Sequence, residues 1–201
     1  MSGFWKHPTP LILASKSSIR YKMLADVGID TEVVVAEIDE RAIQLSKELP
    51  HNNALQLASA KARHVSIRKK DRLVLGVDQT LVQDETEFHK AFTLAAVKTK
   101  LLALSGKTHN LTSAAALFHN GEVVFSVSDE AHLTVRQLDS TFIDHYIDTA
   151  GVDILNAVGC YQIESHGAHL FDRIAGDQFT IMGLPLLKLL DAFRQQGLIV
   201  S

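Results

Sequence analysis

Cysteine is almost absent from this chain: Cys160 is the one thiol in 201 residues. A single cysteine excludes an intramolecular disulfide framework and fits a reducing compartment. Aromatic residues make up only 6% of the chain, with one Trp, and positive charge is not in excess, since the formal net charge is −3. That balance argues against broad electrostatic binding to nucleic acid or acidic membranes, and the missing aromatic clusters argue against RNA in particular. No apolar run approaches the ~20 residues that span a bilayer. The opening stretch "MSGFWKHPTP" lacks the apolar centre of a signal peptide. No internal repeat, low-complexity segment or flexible linker interrupts the chain. The expectation is a cytoplasmic protein with neither a nucleic-acid nor a membrane partner.

What is present is ordinary globular material, 46% hydrophobic and 21% charged, with ample side chains for a core. A chain of this length can form one large domain or two lobes sharing a core, and a single unit over 1–201 is expected. Leu11 to Ala14 reads as a short strand. Ser17 or Ser18 can then cap a helix ended by Gly28, with Ile19, Met23, Leu24 and Val27 along its inner face. Thr31 to Ala36 reads as a second strand and Asn53 to Lys70 as a long helix with Leu55, Ala58, Ala62 and Val65 on one side. Residues 72–82 form a buried strand interrupted by polar residues. Leu94, Val97, Leu101 and Leu104 mark another helix, stopped at Ser105-Gly106. Two strands then flank Asn120-Gly121, a hairpin signal. A helix over 140–149, a strand near 159–164 and a helix over 185–196 complete the pattern. The class is α/β, with a long mixed, partly antiparallel sheet.

Four polar clusters break the apolar pattern. In "LILASKSSIRYKMLADVGID" a strand feeds a helix, whose first N–H groups lack partners and carry the positive end of the dipole. The hydroxyls there, with Lys16 and Arg20, can complete a phosphate site; capping with solvated bases is the plain alternative. "AEIDERA" places Glu37, Asp39, Glu40 and Arg41 after a strand, where carboxylates can hold a hard cation or form a solvated turn. "ASAKARH" puts Lys61 and Arg63 on the long helix, a position that by itself suits surface charge. In "VLGVDQTLV", Asp78 lies inside an apolar strand, where an unpaired carboxylate is costly. It must be paired, metal-bound or open to a cleft, and so is a candidate base. Lys90 follows soon after.

Together these stretches resemble the Maf family. "LILASKSSIR" is similar to the family's strand followed by Ala-Ser-x-Ser-Pro-Arg-Arg. "EIDE", "LASAKAR", "LGVDQTLV", "FHKA" and "LSGKTHNLTSAAAL" resemble its ordered internal motifs, and "YQIESHGAHLFDRIAGDQFTIMGLPL" its closing block. The likeness spans about residues 10–190. It implies an elongated mixed sheet flanked by helices, shared with inosine triphosphatases, with the site in a cleft between two lobes. It implies a nucleoside triphosphate pyrophosphatase that releases a monophosphate and pyrophosphate with the help of Mg²⁺ or Mn²⁺. By position, Asp78 becomes the general base, Ser15, Arg20, Lys61 and Lys90 the phosphate-binding set, and Glu40 a metal ligand. Nucleoside triphosphate is the implied partner, and a homodimer is the commonest assembly for such a chain.

The chain departs from the family at Ser18-Ile19-Arg20, where one arginine is replaced by Ile19. Ile19, Gln79 and Glu164 occupy positions associated with base selection. Gln79 and Glu164 are closer to the branch acting on 7-methyl-GTP than to the branch acting on dTTP and UTP, and Ile19 matches neither. A Glu carboxylate can accept hydrogen bonds from the guanine N1–H and amino group. The alternatives are the dTTP/UTP activity and a nucleotide-binding regulator of septum formation that does not hydrolyse.

Overall fold

The short strand β1 (Leu11–Leu13) is wholly buried and runs parallel to its neighbours on both sides, β2 (Thr31–Val33) and β3 (Leu73–Gln83). A computed structural model describes residues 3–43 and 52–200. Parallel strands need crossover connections. Helix α1 (Ser18–Asp26) supplies the first, and helix α2 (Asn53–Ser66) precedes β3. From β3 onward the sheet is antiparallel. Strand β4 (Thr86–Phe88) folds back on the end of β3, and after helix α3 (Leu94–Leu104) the long strands β5 (Thr108–His119) and β6 (Glu122–Val135) form a hairpin. Helix α4 (Ser140–Ala150) leads through irregular chain to the edge strand β7 (Phe171–Ala175), and helices α5 (Gln178–Ile181) and α6 (Leu186–Gln195) close the fold. Among the described residues the sheet has seven strands, in the order β2-β1-β3-β5-β6-β7 with β4 on β3. This is the mixed α/β sheet expected from the sequence.

Strand β3 organises the core because its side chains alternate between two faces. Val74, with Ala114 and Ala116 of β5, packs against Ala54, Ala58 and Ala62 of α2. Leu73, Leu75 and Val77 face the other way, into a cluster with Leu24, Leu189 and Phe193 from α1 and α6. Further along, Leu81 enters a separate cluster with Leu101, Ile143 and Tyr146 from α3 and α4. Asp78 and Gln79 fall where β3 passes from one cluster to the next. Gly76 sets how closely α2 lies on the sheet, since a Cβ there would sit 2.0 Å from the Ala58 carbonyl oxygen.

Several boundaries differ from expectation. Strand β2 ends at Val33, because its only partner on that side of the sheet, β1, is three residues long. Helix α2 ends at Ser66, and the polar run after it turns through Asp71 at φ 58. No strand occupies 159–164; Cys160 there has φ 58 and a Cβ on Gly159 would sit 2.2 Å from the Tyr161 ring, so the backbone is a tight irregular turn. The edge of the sheet is instead β7, paired with β6. The Asn120-Gly121 hairpin is as expected, with φ values of 51 and 85 that suit a tight turn between twisted strands. Among the described residues, no helix is long and apolar enough to cross a membrane.

Candidate active site

The site forms where β1 stops and β3 continues. Ala14 still donates to the Leu75 carbonyl at 2.8 Å, and the chain then turns into α1. Ser17 caps that helix by accepting the Arg20 amide at 3.5 Å. Ser15 Oγ accepts the Ser17 amide at 3.3 Å and Arg20 Nη1 at 3.2 Å. A hydroxyl has two acceptor lone pairs and one hydrogen. With both lone pairs engaged, the Ser15 hydrogen is left to donate to an incoming acceptor.

Arg20 is half-buried and locked in place by backbone. Its Nε donates to the Gly183 carbonyl at 2.8 Å and its Nη1 to the Val77 carbonyl at 3.0 Å. Burial pushes its pKa down, and the negative charges of Asp78 and Glu40 oppose that shift. The carbonyls of Val77 and Gly183 were invisible to motif reading, because backbone acceptors carry no residue-type signal.

Asp78 and Glu40 meet on one ammonium. Lys61 Nζ lies 3.0 Å from Asp78 Oδ1 and 2.9 Å from Glu40 Oε1. Helix α2 delivers Lys61 from one side and a 3-10 turn over Glu40–Ala42 delivers Glu40 from the other. Lys61 and Asp78 are mostly buried, with side chains 12% and 14% exposed. Asp78 is therefore paired rather than stranded, and its Oδ2 has no partner among the described residues. Lys90, in the irregular link between β4 and α3, completes the group. Partial desolvation, then the positive charges of Arg20 and Lys16, lower its pKa, while Asp78 acts in the opposite sense.

Ser15, Arg20, Glu40, Lys61, Asp78 and Lys90 thus converge, and Lys16 joins them by its field. The four cations outnumber the two carboxylates, which leaves a positive site at a helix N-terminus. Such a site suits a polyanion. Two carboxylates on one nitrogen are hard oxygen donors, a set that fits Mg²⁺ or Mn²⁺. Mg²⁺ is commonly held by one or two carboxylates together with substrate phosphates. Among the described residues no group of three or more His, Cys, Asp or Glu is placed to hold a metal.

The three selectivity candidates do not join this cluster. Gln79 points to the opposite face of β3 from Asp78. Its Nε2 lies within 3.1 Å of Ser113 Oγ and 3.0 Å of the Thr180 and Ile181 carbonyls. Its amide therefore ties β3 to α5, next to the Gly183 carbonyl that holds Arg20. Ile19 packs against the apolar cluster of Leu24 and Leu184. Glu164 is exposed in a turn and makes no contact with the cation group.

A family model described as Maf-like protein matches residues 10–196. The chain is 47% identical over 191 residues to a 7-methyl-GTP pyrophosphatase of Bartonella quintana, covering 94% of this chain and 96% of that protein. It is 45% identical over 197 residues to a nucleoside triphosphate pyrophosphatase of Nitrobacter hamburgensis, covering 97% and 98%. Among solved structures, a nucleoside-triphosphatase / dITP/XTP pyrophosphatase from Mycobacterium abscessus aligns with TM-score 0.41 and 16% identity, over 94% of this chain and 96% of that one.

Proposed function

The chain belongs to the Maf-like protein family, and from that membership we propose that it hydrolyses nucleoside triphosphates between the α and β phosphates, releasing a nucleoside monophosphate and pyrophosphate. The observation that carries this reading is the Asp78–Lys61–Glu40 contact inside a cluster of cations at a helix N-terminus. A triphosphate carries about four negative charges near neutral pH, so fixed cations aimed at it contribute much of the catalysis. Arg20, Lys61 and Lys90 take up phosphate oxygens, and the Ser15 hydroxyl donates one hydrogen bond. Asp78 Oδ1 is held by Lys61, which leaves Oδ2 to accept a proton from water. The water oxygen bonds to the α phosphorus as the bond to the bridging oxygen breaks, and pyrophosphate leaves with the bonding pair. Glu40 would hold a divalent cation, which when bound withdraws charge from the phosphate oxygens.

The preferred nucleotide in this reading is 7-methyl-GTP. Glu164 supplies an exposed carboxylate, which complements the two adjacent donors of guanine and the positive charge that N7 methylation adds. The relative named a 7-methyl-GTP pyrophosphatase supports the same choice. Gln79 contributes indirectly, through the α5 segment that it holds. The single buried free thiol, Cys160, is in keeping with a cytoplasmic location. The test is pyrophosphate release across 7-methyl-GTP, GTP, UTP and dTTP, with and without Mg²⁺ or Mn²⁺. Hydrolysis fastest with 7-methyl-GTP is expected. Preference for UTP or dTTP overturns the choice of base, and no release from any nucleotide overturns the enzyme reading.

A further inference from the structure

Lys90 reaches the phosphate site from residues 89–91, which belong to no helix or strand. A lone ammonium on irregular chain is a poor phosphate ligand unless its backbone is held. The holding is done from inside the protein. Lys100 of α3 is 8% exposed. Its Nζ donates to the His89 carbonyl and, at 2.8 Å, to the Val158 carbonyl. Cys160 is fully buried beneath this segment. The Ala91 methyl is buried in the same cluster as Cys160, and Tyr146 Oη donates to the Cys160 carbonyl at 3.1 Å. The peptide group before Lys90 is therefore held by a hydrogen bond from within and Ala91 after it by burial, while the Lys90 side chain lies within the fields of Asp78 and Arg20.

We propose that Lys100 and Cys160 are positioning residues that clamp the backbone around Lys90 and so hold its ammonium at the triphosphate site. This rests on the triphosphate reading given above. Two of the three N–H donors of Lys100 meet backbone carbonyls, those of His89 and Val158. Among the described residues no carboxylate pairs with it, although a buried ammonium without one is costly. An apolar residue would satisfy this position in the α3 core, which already contains Val97, Leu101 and Leu104. What the ammonium adds is the tie between α3, residue 89 and the 158–160 turn. Position matters because a displacement of about 1 Å at a charged ligand can lower the rate by up to ~100-fold.

The test compares Lys100→Met, Cys160→Ala, Cys160→Ser and Lys90→Ala by kcat/KM, by calorimetric affinity for inorganic tripolyphosphate and by melting temperature. Lys100→Met should lower both affinity and kcat/KM about tenfold, and in the Lys90→Ala background it should change them less than about twofold. Cys160→Ala, which opens a gap in the cluster that holds Ala91, should weaken tripolyphosphate binding, whereas Cys160→Ser, which keeps nearly the same volume, should retain it. Lower melting with unchanged affinity and kcat/KM assigns the pair to packing alone and overturns the clamp. So does failure of both Lys100→Met and Cys160→Ala to fold. A wild type that binds tripolyphosphate and releases pyrophosphate, beside an equally competent Lys100→Met, overturns the clamp and leaves the triphosphate reading intact. A wild type that does neither overturns both.

Discussion

Replacing Asp78 by Asn separates charge from shape at the centre of the site. Asn can still accept a hydrogen bond from Lys61 through its carbonyl oxygen, so the contact now 3.0 Å long can persist. The Oδ2 position becomes an NH₂ that donates, and a water placed there has no base. General-base catalysis contributes roughly 10²–10⁴-fold, or about 3–5 kcal/mol of barrier; kcat should fall by at least about 100-fold. Stability responds less. Removing one partner of a fully buried ion pair costs about 3–5 kcal/mol. Here Glu40 stays 2.9 Å from Lys61 and keeps the ammonium paired. The expected loss is that of one charged hydrogen bond, about 1.5–3 kcal/mol, which lowers the melting temperature of a chain this size by roughly 3–12 °C. The site also becomes more positive, so pyrophosphate affinity should hold or rise. The assay is pyrophosphate release at saturating nucleotide, with calorimetry for pyrophosphate binding. A folded variant retaining more than about a tenth of wild-type kcat refutes Asp78 as the base.

Lys61→Ala and Lys90→Ala should each raise KM for every nucleotide by a similar factor, because phosphate contacts do not sense the base; a changed order of preference would place that lysine elsewhere. Glu164→Gln should shift kcat/KM from 7-methyl-GTP and GTP toward UTP and dTTP by about 1–3 kcal/mol, and an unchanged ratio would remove Glu164 from base selection. Gly76→Ala should destabilise by about 1–3 kcal/mol or more and reduce activity as well, since a Cβ 2.0 Å from a backbone oxygen must displace α2 and with it Lys61; thermal unfolding measures the first and kcat/KM the second. His109 is buried, its Nδ1 has no partner among the described residues, and burial lowers its pKa from 6.5 to about 4. The folded state thus keeps it neutral while the unfolded chain takes up a proton below pH 6.5. Stability from this group is complete above pH 6.5 and lost toward pH 4, by up to about 1.4 kcal/mol per pH unit. Denaturant unfolding of wild type and His109→Gln across that range should show a shallower slope in the variant, and equal slopes would reject the assignment.

Local order was legible wherever hydrogen bonding is local. The Ser17 cap, the helix after it and the 120–121 turn each depend on residues a few positions apart, and residue type reports them directly. Asp78 stood out for a related reason: a carboxylate in an apolar strand requires a partner, and Lys61 is that partner. Alternation along β3 turns Gln79 away from Asp78, toward Ser113 and α5. Lys100 carried a signal that went unread, because its place between Val97 and Leu104 puts it on the inner side of α3.

The sequence by itself determined the α/β class, the strand-to-helix junction at Ser15 to Arg20, and the need of Asp78 for a partner or a cleft. Tertiary structure alone decided what those side chains meet. The edge strand lies at Phe171–Ala175 rather than near 159–164, because the Gly159–Tyr161 turn buries its rings and sulfur in irregular backbone. Arg20 is aimed by the carbonyls of Val77 and Gly183, and the loop of Lys90 by the Lys100 hydrogen bond and the packing of Ala91 with Cys160. These contacts join segments far apart in the chain, many of them through backbone groups common to every residue. Periodicity records what a residue does to its neighbours along the chain; it holds no record of which distant carbonyl the folded chain will bring within 3 Å.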